Sequence, residues 1–466
     1  MIDDSLMEYL LKRALSDGGD FADIYAEQRR GTVVQFEDGR MEKAVSGSVS
    51  GIGIRLVRDR KTAYAYSNDF SRQTLERIAD TVRIALSKSN VSGTPGTLTF
   101  NMKRRYPEVH SIIKLYPGDV SMNDKISLVR EGDNGARRLG SAVKQVSVVY
   151  RDSIRKVQIF SSDGFIAEEE RVYTTASAHV ITVKGNCIQT GYEAAGGLVG
   201  FELFDDISVG DIGYRAAERA VRMLDAARAP GGRMPVVISS EAGGTMIHEA
   251  IGHGLEADLA QRGLSVYSGK VGQRIASSLI TVVDDATLHN KRGSFSFDDE
   301  GTPSKRNVLV KDGILMGYMY DKYTAAADGV ESSGNGRRES FENKPIPRMT
   351  NTFIAPGRTN PDDVIRSVAK GLFVKKMGGG QVNTVNGDFV FDVQEGYLIE
   401  NGQVGDLVRG ATLTGNGPQV LESIDMIGSD LGFSIGTCGK DAQGVPVSDA
   451  MPTLRIREIV VGGEVG

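Results

Sequence analysis

The sequence predicts an α+β protein built on antiparallel sheets. Three observations carry that reading. Stretches with apolar residues three and four apart, as on a helix face, alternate with runs of short segments in which apolar and polar residues alternate. Within each run the strand-like segments follow one another directly, as in a meander, and Asp-Gly pairs fall at turn positions. The last two hundred positions are rich in glycine and short strands and poor in long helices.

Taken in order, residues 4–16 read as an amphipathic helix with Leu6, Tyr9, Leu10 and Ala14 on one face. "ADIYAEQ", "VVQFEDG", "GIGIRLV" and "TAYAYS" follow as strands, with a turn at Asp38-Gly39. Ser71 then caps a helix whose stripe is Leu75, Ile78, Val82 and Ala85. The same order recurs. A helix near 124–140 precedes "QVSVVYR", "KVQIFSSDG", "TTASAHVITV" and "CIQTGYE", and a helix at 211–226 presents Ile212, Ala216, Val221 and Leu224. "VQFEDG" and "VQIFSSDG" occupy matching places, so the N-terminal half reads as a weak repeat of helix, antiparallel meander and helix. The units are residues 1–89 and 122–228, joined by a linker at 90–121. A C-terminal β-rich domain, 229–466, opens with the strand "MPVVIS", the loop "SEAGG" and a helix at 245–259. "NVLVKDGILMGYMYD" reads as a hairpin turning at Asp312-Gly313.

The chain of 466 residues is 40% hydrophobic, ample for a large core. Its 55 basic and 60 acidic residues leave a net charge of -5, which argues against a nucleic-acid footprint. Arg104-Arg105 and Arg337-Arg338 read as solvated surface charge. Two cysteines, Cys187 and Cys438, make no disulfide framework. The N-terminus lacks the basic and apolar regions of a secretory signal, and no run approaches the ~18 apolar residues of a membrane span. The expectation is a soluble, cytoplasmic protein that binds neither nucleic acid nor membrane.

The segment "TMIHEAIGHGLEAD", 245–258, holds two of the five histidines, with Glu249 directly after the first. His248 and His253 are five apart, one more than in the H-E-x-x-H helix of zinc peptidases. On a regular helix, residues five apart diverge by roughly 140° and cannot share an ion. Either a π-type turn or a break at Gly252 and Gly254 would reunite them. A catalytic zinc takes three protein ligands and keeps a position open. The third could come from Glu256, Asp258, His289 or a distant cysteine. Cys438, in the loop-like "IGTCGKDAQG", stands slightly ahead of Glu256, whereas Cys187 sits in a strand-like segment and reads as structural. Glu249 is placed to act as general base beside the open position.

These segments, together with "MGGGQVN", "GDFVFDVQEGYLIENGQ", "VRGATLTGN" and "TCGKDAQGVPVSDAMPTLRI", resemble the TldD/PmbA family of metallopeptidases, in its TldD-like branch, over essentially the whole chain. The resemblance implies His248, His253 and Cys438 as ligands of one Zn2+ per chain and Glu249 as catalytic base. It also implies unfolded or flexible peptides as substrates, and a homodimer or a heterodimer with a PmbA-like paralogue.

Gly378, Gly379 and Gly380 leave backbone groups unobstructed, and an extended peptide could pair there as an added strand; a tight turn beneath the site is the alternative. The leading functional expectation is a zinc-dependent peptidase. A zinc amidohydrolase acting on small amide-linked metabolites would use the same attack on a carbonyl. A non-catalytic peptide-binding dimer subunit would have no need of Glu249.

Overall fold

The computed structural model describes residues 3–87, 100–108 and 111–463. Residues 90–99 and 109–110 of the expected linker lie outside the described residues. The first helix, α1 (Asp4–Ala14), is capped by Asp3 and buries Met7, Leu10, Leu11 and Ala14. Its inner face is rotated from the expected one. Tyr9 stays exposed, where its hydroxyl accepts a hydrogen bond from Arg13 at 2.7 Å, and Met7 and Leu11 take the core positions.

The short strand-like segments fuse into long strands. β1 (Phe21–Glu37) joins "ADIYAEQ" to "VVQFE", and β2 (Arg40–Arg58) returns through a turn with Asp38 and Gly39 at φ 47° and 76°. β3 (Lys61–Ser67) and α2 (Arg72–Ala85), capped by Ser71, complete the first unit. After the three-residue β4 (Lys103–Arg105), the second unit runs α3 (Met122–Arg137), β5 (Val143–Ser161), β6 (Phe165–Lys184) and β7 (Cys187–Gly197). The single turn α4 (Leu203–Asp206) and then α5 (Val209–Leu224) follow.

Both units lie in one seven-stranded sheet. Its order is β3-β2-β1-β5-β6, with β7 on the far side of β6 and β4 parallel to the start of β6. The order is symmetric about the antiparallel β1–β5 pair, so each unit repeats the other's meander. Helices α1 and α2 cover one half of the sheet, and α3 and α5 the other. The last two cross with their backbones nearly touching. A Cβ on Gly135 would fall 2.0 Å from the carbonyl oxygen of Gly210, and one on Gly213 would fall 2.0 Å from that of Gly132.

On the opposite face, Tyr25, Val157, Ile159, Phe165 and Ala167 meet Phe297 and Phe341 of the C-terminal region. Buried ion pairs surround this contact. Arg55 binds Asp23 and Glu300, and Arg171 binds Asp299 at 2.8 Å. Arg337 and Arg338, expected on the surface, are 3% and 0% exposed. Both donate to internal acceptors. Arg337 reaches the carbonyl of Pro446 at 2.7 Å, and Arg338 reaches that of Asp299 at 2.9 Å while lying over the Tyr25 ring. Desolvated guanidinium groups are retained where such acceptors exist. Arg104 is exposed as expected, paired with Asp4 and Glu168.

The C-terminal region holds two main sheets. In one, Lys370–Val382 pairs with both Gly232–Ile238 and Asp388–Glu400. Through Leu454–Gly462 and Thr412–Asn416 the pairings close a ring of five strands. The other sheet runs from the Asp312-Gly313 hairpin, both turn residues at positive φ, to a final antiparallel pair, Gly432–Lys440 and Gln443–Met451. A single core joins Ile247, Ile251 and Leu255 to Val374 and Phe391 of the ring and to Val447 and Met451 of the second sheet. The 245–255 segment is therefore held between the two sheets. Among the described residues no helix is long and apolar enough to cross a membrane.

Candidate metal centre

The expected helix 245–259 is broken in a specific way. One α-turn, Thr245–Ile247, passes into a π-turn, His248–Gly252, in which the His253 N–H donates to the carbonyl of His248. A 3-10 turn, His253–Leu255, follows, and Glu256 is extended. The wide turn does what the five-residue spacing requires: it puts both imidazoles on one side, ring centres 5.0 Å apart and nearly perpendicular at 88°. The flanking glycines serve close approach and not an unusual backbone. Gly252 has φ -54°, and a Cβ there would fall 2.2 Å from the Met349 sulfur. A Cβ on Gly254 would fall 2.7 Å from the Tyr267 ring.

Cys438, expected in an open loop, is in the strand Gly432–Lys440 and is 2% exposed. The glycines of "GTCGKDAQG" lie in this strand and in its partner, Gln443–Met451, and the turn falls instead on Asp441 and Ala442, at φ 49° and 57°. The strand brings the thiol to the histidines. Ligand atoms of His248, His253 and Cys438 lie within 4.8 Å of one another, and Cys438 Sγ is 3.5 Å from His253 Nε2. Zn–S and Zn–N bonds of about 2.3 and 2.0 Å around a tetrahedral ion put S and N about 3.5 Å apart. The donor set therefore fits zinc, which favours thiolate and imidazole together.

Carboxylates orient both rings. His248 Nδ1 is 3.0 Å from Asp449 Oδ1, and His253 Nδ1 is 3.0 Å from Glu256 Oε2, which leaves the Nε2 atoms for the centre. Glu256 thus stands behind His253 and not among the three converging groups. Asp258 pairs with Lys440 at 2.7 Å, and His289 lies outside the cluster. Cys187 is half-buried beside Arg409 at the start of β7.

The electrostatics are those of a thiolate site. Burial opposes ionisation of Cys438, but hydrogen bonds with His248 and His253 hold its thiol down at about 5. Burial likewise disfavours a charged His253, but Glu256 and Cys438 together outweigh it and raise the ring to about 9. Asp449 and Cys438 together do the same for His248. Glu249 is pushed above the usual carboxylate range by burial, against the pull of the two histidines.

A cleft of about 500 Å3 opens on these groups. Glu249, Gly380, Gln381, Val382 and Thr437 share it with the cluster. Gly378 and Gly379 lie in a bulge opposite Asp392, and Gly380 packs so tightly on Phe391 that a Cβ would fall 1.8 Å from the ring. Past Val374, this strand pairs on one side only among the described strands. Sequence reasoning missed Asp449, Arg348 and Lys440 around the centre, because nothing in their spacing ties them to partners about ninety to two hundred positions away.

Comparison with known proteins agrees over the full length. Residues 22–88 match the PmbA/TldA metallopeptidase domain 1, 115–224 the central domain and 231–463 the C-terminal domain. A metalloprotease TldD homolog of Haemophilus influenzae is 38% identical, over 95% of this chain and 93% of its own. A zinc metalloprotease TldD homolog of Saccharolobus solfataricus is 28% identical, over 98% and 99%. The crystal structure of TldE from Thermococcus kodakarensis superimposes with a TM-score of 0.77 at 19% identity, covering 98% of this chain and all of that one, a likeness of fold. From domain 1 to the C-terminal domain, this chain belongs to the PmbA/TldD metallopeptidase family.

Proposed function

We propose that the protein is a zinc-dependent peptidase that hydrolyses unfolded or flexible peptides. The observation that carries this reading is the convergence of His248, His253 and Cys438 within 4.8 Å, at the edge of a cleft that also holds Glu249. In this reading His248, His253 and Cys438 hold one Zn2+ per chain. Bound there, zinc would polarise the scissile carbonyl and lower the pKa of a neighbouring water to about 7. Glu249 takes the proton of the attacking water and delivers it to the leaving amine. Burial raises its affinity for that proton. Asp449 and Glu256 keep the imidazoles oriented through the cycle.

The one-sided strand at Gly378, Gly379 and Gly380 offers backbone groups to an extended peptide, with Gly380 in the cleft itself. Such pairing selects for an unfolded backbone more than for side chains. We extend the proposal to a paired assembly, as a homodimer or with a PmbA-like partner, and to a cytoplasmic location.

Elemental analysis of wild type, His248→Ala and Cys438→Ser, purified without added metal, tests the core of this reading. About one zinc per chain is expected in wild type, and much less in both variants. Wild-type protein that takes up no zinc on reconstitution refutes it. A panel of unfolded peptides set against small amides then separates peptidase from amidohydrolase.

A further inference from the structure

Arg348 is fully buried, yet its nearest carboxylate oxygen, Glu256 Oε1, is 3.8 Å away. Two of its nitrogens donate to backbone carbonyls, one to Cys438 and one to Gln443 at 3.1 Å. The third, Nε, faces Glu256 Oε1, and neither atom has a hydrogen-bond partner. The other oxygen of Glu256 holds His253 at 3.0 Å and Lys440 at 3.2 Å. Lys440 also binds Asp258 at 2.7 Å and the carbonyl of Pro347 at 2.9 Å, one residue before Arg348. Met349, one residue after, fills the space against Gly252 at the end of the π-turn. The short segment 347–349 is thus wedged between the turn that carries both histidines and the strand that carries Cys438.

We propose that Arg348 is a positioning residue for the metal centre. By gripping the Cys438 carbonyl and facing Glu256, it sets the distance between the thiolate and the Glu256–His253 pair, and with it the metal affinity, without touching ion or substrate. The inference rests on the zinc reading above. A planar guanidinium can serve two carbonyls and a carboxylate at once, and the single nitrogen of lysine cannot. Lysine should therefore preserve charge but lose the fixed spacing.

The test uses the full chain as wild type, Arg348→Lys, Glu256→Gln and the double variant. Zinc affinity is read by chelator competition. The Cys438 bond is read from the sulfur-to-metal charge-transfer band after cobalt(II) replaces zinc. Arg348→Lys should weaken zinc binding about 10–100-fold, the range seen when groups supporting metal ligands are removed. It should also shift or weaken the cobalt band while metal-free melting stays near wild type, a spectroscopic change that a purely structural role would not produce. If Arg348 acts through Glu256, the double variant loses less than the sum of the single losses. A folded Arg348→Lys protein with wild-type affinity and an unaltered band overturns the proposal, as does strict additivity. If Arg348→Lys does not fold, Arg348→Gln takes its place, since it can still donate to a carbonyl while giving up the group that faces Glu256; wild-type affinity and band there overturn the proposal. Wild-type protein that gives no sulfur-to-cobalt band overturns the zinc reading as well, whereas a wild-type band with unaffected variants overturns this inference alone.

Discussion

Asp449 reaches His248 from the strand paired with that of Cys438, its Oδ1 3.0 Å from the ring Nδ1. One hairpin therefore supplies both the thiol and the carboxylate that selects which imidazole nitrogen meets it. Asp449→Ala is expected to lower zinc affinity about 10–100-fold, since the ring loses its orientation and its basicity. Chelator competition reads the change, and an unchanged affinity would show that packing alone orients His248.

Glu249→Gln separates binding from chemistry. The substituted side chain keeps its size but cannot take a proton. Zinc content should stay near that of wild type while peptide turnover falls about 10²–10⁴-fold. Turnover equal to wild type would remove Glu249 from the mechanism.

Acid should loosen the contact between the N-terminal sheet and the C-terminal region through Asp299. Burial alone would raise its carboxyl, but Arg171, Arg155 and Arg338 hold it at about 2, below its ordinary 3.8. A group depressed on folding stabilises the protein above its unfolded pKa, and that contribution fades as pH falls from about 5 through 2. Asp299→Asn should cost about 3–5 kcal/mol at neutral pH, as broken buried ion pairs do, and much less near pH 2. Urea titrations of both proteins across this range give the difference. A gap that does not narrow with acid would contradict the assignment.

Gly135→Ala probes the helix crossing on the sheet's other face. The added methyl would collide with the Gly210 carbonyl, so α3 and α5 must separate. A loss of about 1–3 kcal/mol is expected, with zinc affinity untouched because the crossing is remote from the metal centre. Thermal melts and metal titrations on the same samples check both halves of the statement.

The repeat and the odd histidine spacing were legible because each leaves a local trace. Alternation marks strands, Asp38-Gly39 and Asp312-Gly313 mark turns, and a five-residue separation of ligands demands a wide turn. Cys438 was misplaced into a loop because its neighbouring glycines carry turn signals in sequence, while the tight turn itself falls on Asp441 and Ala442. Arg337, Arg338 and Arg348 look like solvent-facing charge in any window of sequence. Their burial depends on carbonyls and carboxylates supplied by distant segments, which no local pattern encodes. The inner face of α1 was missed by a smaller margin, because Tyr9 is apolar enough to count towards a stripe yet sits with its hydroxyl at the surface.

The proposed ligands, the proposed base and the carboxylates that face the two rings come from very little chain. His248, Glu249, His253 and Glu256 lie on one broken helical stretch, and Cys438 and Asp449 on one hairpin. The seven-strand sheet contributes none of them, and the five-strand ring adds only the glycine strand along the cleft. After a gene duplication, one copy could shed its chemistry through a handful of substitutions in those two stretches and still fold to the same outline. An inert sibling of this kind would keep the outer form of the original, so the architecture leaves inheritance of shape and inheritance of reactivity free to part.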